Sequence, residues 1–271
     1  MRHWLMIWCL LMAAVPLSAK AQEDSAFAFV KKIPGNYSDF WVDNLGNIYL
    51  LTKNNQLKKF SAKSDSMGVF NDVRSYGKLS YADVSNPLKI QLYYQNFGTI
   101  VTLDRFLTSR NVLDLRKQQL FKIKAIATSY DNNLWVVDEQ EFKLKKLDEK
   151  GKTLFETVDW RQLFDTLPSP THIFDEDGYI YLYDPAKGFY IFDYYGAFKN
   201  KLPFTNWGNT AVAGGTLYGF QQQQLYSYRT GSLQLKTYTL PTFFGNYTSI
   251  KVHSGHVYLL RPDGIDIYRV K

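Results

Sequence analysis

Cysteine is nearly absent from this 271-residue chain: the single one, Cys9, lies in an N-terminal apolar run that is expected to be cleaved away. Its loss excludes disulfides, thiol catalysis and cysteine-ligated zinc from the mature chain, and cleavage at the expected point leaves no N-terminal cysteine to carry a lipid. Histidine is scarce too. Of four, His3 belongs to the same leader, which leaves His172, His253 and His256. Neither a glycine-rich phosphate loop nor a Gly-x-Ser-x-Gly elbow occurs, so any catalytic site has to be assembled from distant segments. Beyond Val15 no apolar run is long enough to cross a bilayer as a helix. A strong charge bias is missing as well. The 32 basic and 25 acidic residues give a formal +7, and about +5 once Arg2 and Lys20 are removed. Basic residues such as Lys143, Lys145, Lys146 and Lys150 have acids among them, which reads as solvated outer faces and argues against a nucleic-acid partner.

The leader itself is informative. Arg2 and His3 precede an uncharged apolar stretch from Trp4 to Val15, and Ala19-Lys20-Ala21 follows as a small-x-small cleavage site. Roughly twelve apolar residues are too few to span about 30 Å of hydrocarbon at 1.5 Å per residue. Residues 1–21 are therefore expected to be a signal peptide, and 22–271 a single mature domain beginning at Gln22. Export without a cysteine framework points to the bacterial periplasm or outer envelope. A chain of this length can fold without disulfides, because it buries roughly 70–75% of the surface that its unfolded form exposes.

Against that sparse chemistry stands a repeat. Six times a turn-like segment feeds a short apolar-aromatic strand: Ile48 to Leu51, Ile100 to Leu103, Leu134 to Val137, Ile180 to Tyr183, Leu217 to Phe220 and Val257 to Leu260. Their first residues are 52, 34, 46, 37 and 40 apart, around the roughly 40–45 residues of a four-stranded propeller blade. The expected fold is all-β, a six-bladed β-propeller. In the fourth unit Asp177-Gly178 separates alternating apolar segments, a strong hairpin signal. Tyr179, Tyr181 and Tyr183 there alternate with Ile180 and Leu182, giving one tyrosine face and one aliphatic face, each expected to pack on a neighbouring blade.

The two ends of the chain complement each other. The sixth unit supplies only three strands (Thr248 to Val252, His256 to Leu260, Ile265 to Val270), whereas Ala26 to Ile33 is a spare strand with nothing local to pair with. Pairing it with the outer edge of the last blade satisfies exposed backbone groups on both and closes the ring. Two connections, Asn71 to Pro87 and Glu156 to Pro170, are longer than a blade needs. Loops on a rigid scaffold commonly carry binding residues. These would present Arg74, Tyr76, Tyr81, Trp160 and Arg161 to a partner, residue types enriched at interfaces.

The channel offers less chemistry. The innermost strands are expected at Tyr37 to Val42, Leu88 to Tyr93, Ile123 to Thr128, Thr171 to Phe174, Thr210 to Ala213 and Thr248 to Val252, and Asp39 is the only carboxylate among them. A hard cation needs six or more oxygens converging from several blades. No metal and no cofactor are expected. His172 stands on an innermost strand, and with Asp39, Trp41 and Trp207 it forms the set of candidate ligand-binding residues.

The fourth unit also carries a resemblance. Pro170 ahead of its first strand, Asp177-Gly178, Tyr181, the strand-ending Asp184, then Ile191-Phe192-Asp193 and Gly196 resemble the NHL type of propeller repeat. The strand-ending acid recurs as Asp104 and Asp138, but Thr52, Gln221 and Arg261 stand at the equivalent places elsewhere. With its export signal and tyrosine-rich blades the chain is similar to exported envelope propellers of the Bacteroidota, some of which look like accessory parts of outer-membrane export machinery. The export signal, the closed six-blade pattern and the lack of clustered catalytic groups point to a non-enzymatic scaffold that binds an envelope protein. Two alternatives stay open: a hydrolase or lyase with its site at the channel mouth near Asp39 and His172, and a carbohydrate or small-ligand sensor using Trp41 and Trp207.

Overall fold

The computed structural model describes residues 27–232 and 234–270. The signal peptide expected over residues 1–21 lies outside them. Among the described residues, twenty-four strands form six antiparallel four-stranded sheets, arranged as the blades of a propeller. After β1 (Phe27–Pro34), blade 1 is β2 (Tyr37–Val42), β3 (Ile48–Thr52), β4 (Leu57–Phe60) and β5 (Ser66–Phe70). Blade 2 is β6 (Tyr81–Asp83), β7 (Ile90–Tyr94), β8 (Thr99–Leu103) and β9 (Ser109–Asp114). Blade 3 is β10 (Ile123–Thr128), β11 (Leu134–Asp138), β12 (Lys143–Leu147) and β13 (Thr153–Glu156). Blade 4 is β14 (His172–Glu176), β15 (Tyr179–Asp184), β16 (Gly188–Asp193) and β17 (Phe198–Leu202). Blade 5 is β18 (Gly208–Ala213), β19 (Thr216–Gln221), β20 (Gln224–Arg229) and β21 (Leu235–Thr239). Blade 6 is β22 (Ser249–His253), β23 (His256–Arg261) and β24 (Gly264–Val270), completed by β1.

The closing strand pairs as the chain ends predict. Phe27 lies opposite Val270 and Pro34 opposite Gly264, with a bulge between Phe29 and Lys31. The junction is tight enough to require glycine: Gly264 has φ +149°, and a Cβ there would sit 2.3 Å from the Ile33 carbonyl oxygen. Ile33 is the strand's buried anchor, packed with Phe40, Ile48 and Leu50 of blade 1 and with Tyr258, Ile265 and Ile267 of blade 6.

The core is divided into wedges between blades. Each of the six hydrophobic clusters combines side chains of two neighbouring blades, including the pair formed by blades 6 and 1. This explains why second strands such as β3, β7, β11 and β15 are buried nearly throughout: both of their faces meet another blade. On β15, Ile180 and Leu182 pack toward blade 3, while Tyr181 and Tyr183 pack toward blade 5. Outermost strands face solvent on the rim. β21 is exposed along its whole length, and its Lys236 and threonines discourage edge pairing.

Blade 2 departs from the sequence reading. Its innermost strand is the three-residue β6, inside the segment from Asn71 to Pro87 that reads as a long loop. Ile90–Tyr94 is therefore the second strand, and the echo at Ile100 to Leu103 is the third. With this correction the second strands begin at Ile48, Ile90, Leu134, Tyr179, Thr216 and His256, steps of 42, 44, 45, 37 and 40 residues. Asp104 consequently sits at a third-to-fourth turn, unlike Asp138 and Asp184, which end second strands.

Candidate functional site

The first strands of the blades line the axis, and four of them bring side chains together at the mouth where those strands begin. Lys251 on β22 is the centre. Its Nζ donates to the Phe40 carbonyl oxygen, lies 3.8 Å from Asp39 Oδ1, and stands over the rings of Phe40 (4.8 Å) and Trp41 (5.1 Å). Burial pushes the ammonium below the ordinary lysine range, and Asp39 opposes that shift. His172, the first residue of β14, is held down to about 4 by burial, then by the like charge of Lys251, against the pull of Asp39. The imidazole is thus neutral at neutral pH, and its Nδ1 lies 2.9 Å from Thr171 Oγ1. Tyr81 from β6 meets the His172 ring edge-on at 6.0 Å. Blades 2 and 4 are not neighbours, so this contact reaches over blade 3 and narrows the axis.

The arrangement supplies one cation, one neutral imidazole, one partly exposed carboxylate and a phenol whose ionisation burial suppresses. It suits holding a polar guest more than moving protons at neutral pH, since an imidazole with a pKa near 4 is a weak base. Among the described residues no group of three or more His, Cys, Asp and Glu side chains is placed to hold a metal ion. Sequence reasoning placed Asp39 and His172 here and missed Lys251 and Tyr81 as their companions. The alternation in Ser249–His253, which sets Lys251 on the opposite side from the buried Ile250, was the available signal.

Other candidates are drawn into the core. Trp207 is 5% exposed and stacks between Phe204 (4.7 Å, 4°) and Tyr226 (5.5 Å, 18°). It lies so close to Gly219 that a Cβ there would sit 2.4 Å from the ring. Trp41 is buried between blades 1 and 2. Neither tryptophan offers a free ring face to a sugar. Trp160 is 1% exposed and stacks on Phe192 at 6.1 Å, filling the wedge between blades 3 and 4. Tyr76 packs on Tyr94 at 5.3 Å. Arg161 is exposed, but its guanidinium is paired with Asp159 two residues back and covers the Phe142 ring at 5.3 Å. The Arg74 side chain lies outside what the structure describes. The long loops therefore serve mainly as packing, because a connection crossing from one rim to the next first strand passes over the inter-blade wedge.

The opposite end of the ring is made of first-to-second and third-to-fourth turns. Here four consecutive blades each raise a large apolar side chain to solvent beside the same turn: Leu45, Leu88, Tyr130 and Tyr179. Phe106 and Tyr195, the latter 89% exposed, join them from third-to-fourth turns. Beneath them is a stiff brace. Asp175 accepts from Trp135 Nε1 (2.8 Å), from the Tyr130 amide (3.2 Å) and from the Tyr194 hydroxyl. Lys146 Nζ lies 2.7 Å from Asp131 and 4.9, 5.0 and 5.8 Å from the rings of Tyr130, Trp135 and Tyr194. Burial opposes ionisation of Asp131, but hydrogen bonds from Lys146 and Asn133 outweigh it and hold the carboxyl down to about 2. Exposed apolar side chains clustered on one rigid face are a mark of protein contact surfaces.

No family model matches the chain, and no curated protein matches it. Solved structures do. It is similar to a streptogramin B lyase at 17% identity and TM-score 0.58, over 86% of this chain and 78% of that one. Virginiamycin B lyase from Staphylococcus aureus is similar at 14% identity and TM-score 0.56, over 86% and 80% of the two chains. The Neurospora crassa Pan2 WD40 domain is similar at 11% identity and TM-score 0.60, over 90% and 95%. Resemblance at such low identity extends to the propeller fold and no further.

Proposed function

We propose that this chain is an exported, non-enzymatic β-propeller that serves as a protein-interaction module in the bacterial envelope. It is of NHL-like blade type, akin to exported Bacteroidota propellers, and acts as an accessory subunit of an outer-membrane export complex. The observation that carries this reading is the turn face: Leu45, Leu88, Tyr130, Tyr179, Phe106 and Tyr195 exposed on one end of a rigid ring. Scattered apolar residues are ordinary on a protein surface, but one beside the first-to-second turn in each of four successive blades is an ordered display. The leader-like N-terminal sequence, with its small-x-small site before Gln22, supports periplasmic or outer-envelope residence in this reading. Cell fractionation, N-terminal sequencing and affinity capture from crosslinked native envelopes test it together. The expected result is an envelope fraction starting at Gln22 that captures a defined envelope protein; a cytoplasmic, uncleaved chain with no stoichiometric partner would overturn it.

A second reading, a hydrolase or lyase acting at the channel mouth, draws on the convergence of His172, Lys251, Asp39 and Tyr81 from four blades. An activity abolished by His172→Gln, with folding unchanged, would favour it over the scaffold.

A further inference from the structure

A second recess lies at the seam where the ring closes. A cleft of about 280 Å³ is walled by three pieces that meet only because β1 completes blade 6: Val30 and Lys31 of the closing strand; Asn44, Leu45, Gly46, Ile48 and Ala62 of blade 1; and His253, Ser254, His256, Tyr258 and Ile267 of blade 6. The bulge between Phe29 and Lys31 adds the extra residue that places Val30 and Lys31 together on its wall.

The lining is divided by chemistry. Val30, Leu45, Ile48, Tyr258 and Ile267 are apolar, whereas Lys31, Asn44, Ser254, His253 and His256 offer polar groups. No aspartate or glutamate is among the lining residues, and no carboxylate among the described residues forms an ion pair with Lys31. Lys31 Nζ donates to the Ala62 carbonyl at 2.9 Å, which holds the charge at the cleft's edge. His253 Nε2 is buried without a hydrogen-bond partner. Asp43, the residue before Asn44 in the chain, is already committed, accepting from the Leu45 and Asn47 amides, the Asn47 side chain and the Tyr49 hydroxyl at 2.8 to 3.0 Å.

We propose that this seam cleft binds a small amphipathic monoanion of the medium-chain carboxylate class, its apolar body against Leu45, Ile48, Tyr258 and Ile267 and its carboxylate toward Lys31, Asn44 and Ser254. The cleft's volume is just below the roughly 300 Å³ at which ligand pockets begin, which limits the guest to a short chain. An unpaired cation with no competing acid selects an anion over a neutral lipid. Because all three walls must be in place, occupancy stabilises the closing strand by mass action.

Octanoate, octan-1-ol and acetate are the probes, titrated into the mature protein by calorimetry, with amide exchange followed in β1. The expected result is octanoate binding about tenfold or more tighter than octan-1-ol, as a charge-assisted bond warrants, no measurable acetate binding, and slower exchange in β1 on octanoate addition. Lys31→Met abolishes the preference over octan-1-ol, and Ala62→Trp, at an exposed turn position, blocks binding by filling the cleft while leaving the unfolding midpoint unchanged. Equal affinity for octanoate and octan-1-ol, absence of octanoate binding, or binding undiminished in Ala62→Trp would overturn the proposal.

Discussion

Replacing Ile33 by alanine tests how the ring is held shut. Ile33 is 5% exposed and is the one side chain of β1 packed fully into the wedge between blades 6 and 1, whereas Phe29 and Val30 stay largely exposed, Phe29 against Tyr268 and Val30 at the seam cleft. Truncating a buried isoleucine costs about 2–5 kcal/mol, depending on how far the site collapses. Taking about 3 kcal/mol, and about 2–4 °C per kcal/mol for a domain of this size, the midpoint of thermal unfolding should fall by roughly 6–12 °C. The loss should also be local. A seam weakened by about 3 kcal/mol opens on the order of a hundred times more often, so amides of β1 and β24 should exchange faster by about that factor while β11 and β15 change little. Val69→Ala, at an exposed position on the outermost strand of blade 1, is the matched control and should stay within about 0.5 kcal/mol of the parent. If Ile33→Ala and Val69→Ala were equally mild, or if exchange rose uniformly around the ring, closure by the N-terminal strand would not be what stabilises the fold.

Other perturbations probe other parts. His172 has a folded pKa of about 4 against 6.5 for the free group, so the unfolded chain binds the extra proton between those values. Stability from this source is complete above 6.5 and is lost as pH falls toward 4, at no more than about 1.4 kcal/mol per pH unit. Urea midpoints measured across that window should fall less steeply in His172→Gln than in the parent; parallel slopes would refute the assignment. Asp43→Asn should cost about 2–3 kcal/mol in urea unfolding, because an amide nitrogen would then face the Tyr49 hydroxyl and Asn47 amide donors. Gly219→Ala should press on Trp207, destabilising by about 1–3 kcal/mol and shifting tryptophan fluorescence; an unchanged spectrum would contradict the close packing.

Much of this architecture is legible in the chain because propeller blades impose strong local patterns. A spare strand at one end and a three-stranded unit at the other can be matched before any contact is known, and β1 and β24 do pair. The alternating tyrosines of β15 announce a strand buried on both faces, and its two faces enter different wedges. Blade 2 is illegible in the sequence for the opposite reason. Three residues, Tyr81–Asp83, are too short to show a period, and the wholly buried β7 reads as a plain apolar run. The candidate site was half legible. Asp39 and His172 could be placed on first strands, but burial depends on what the next blade brings. Trp160 and Trp207 are residue types that suit an exposed platform or an inter-blade wedge equally well, and only tertiary packing assigns them to the wedge. Lys251 looks like a surface residue in the sequence, yet the curvature of the ring turns it toward Asp39 and His172.

The turn face is the part of the molecule on which the functional reading depends, and substitution there can be separated from folding because its side chains are exposed. Leu88→Ser, Tyr130→Ser and Tyr195→Ser combined should leave the unfolding midpoint within about 1 kcal/mol of the parent. Quantitative affinity capture from crosslinked native envelopes, parent against triple variant, is the most direct measurement. Loss of the captured envelope partner in the triple variant, with capture retained in Lys251→Met at the channel mouth, is the predicted result. Undiminished capture by the triple variant, or loss confined to Lys251→Met, would contradict it.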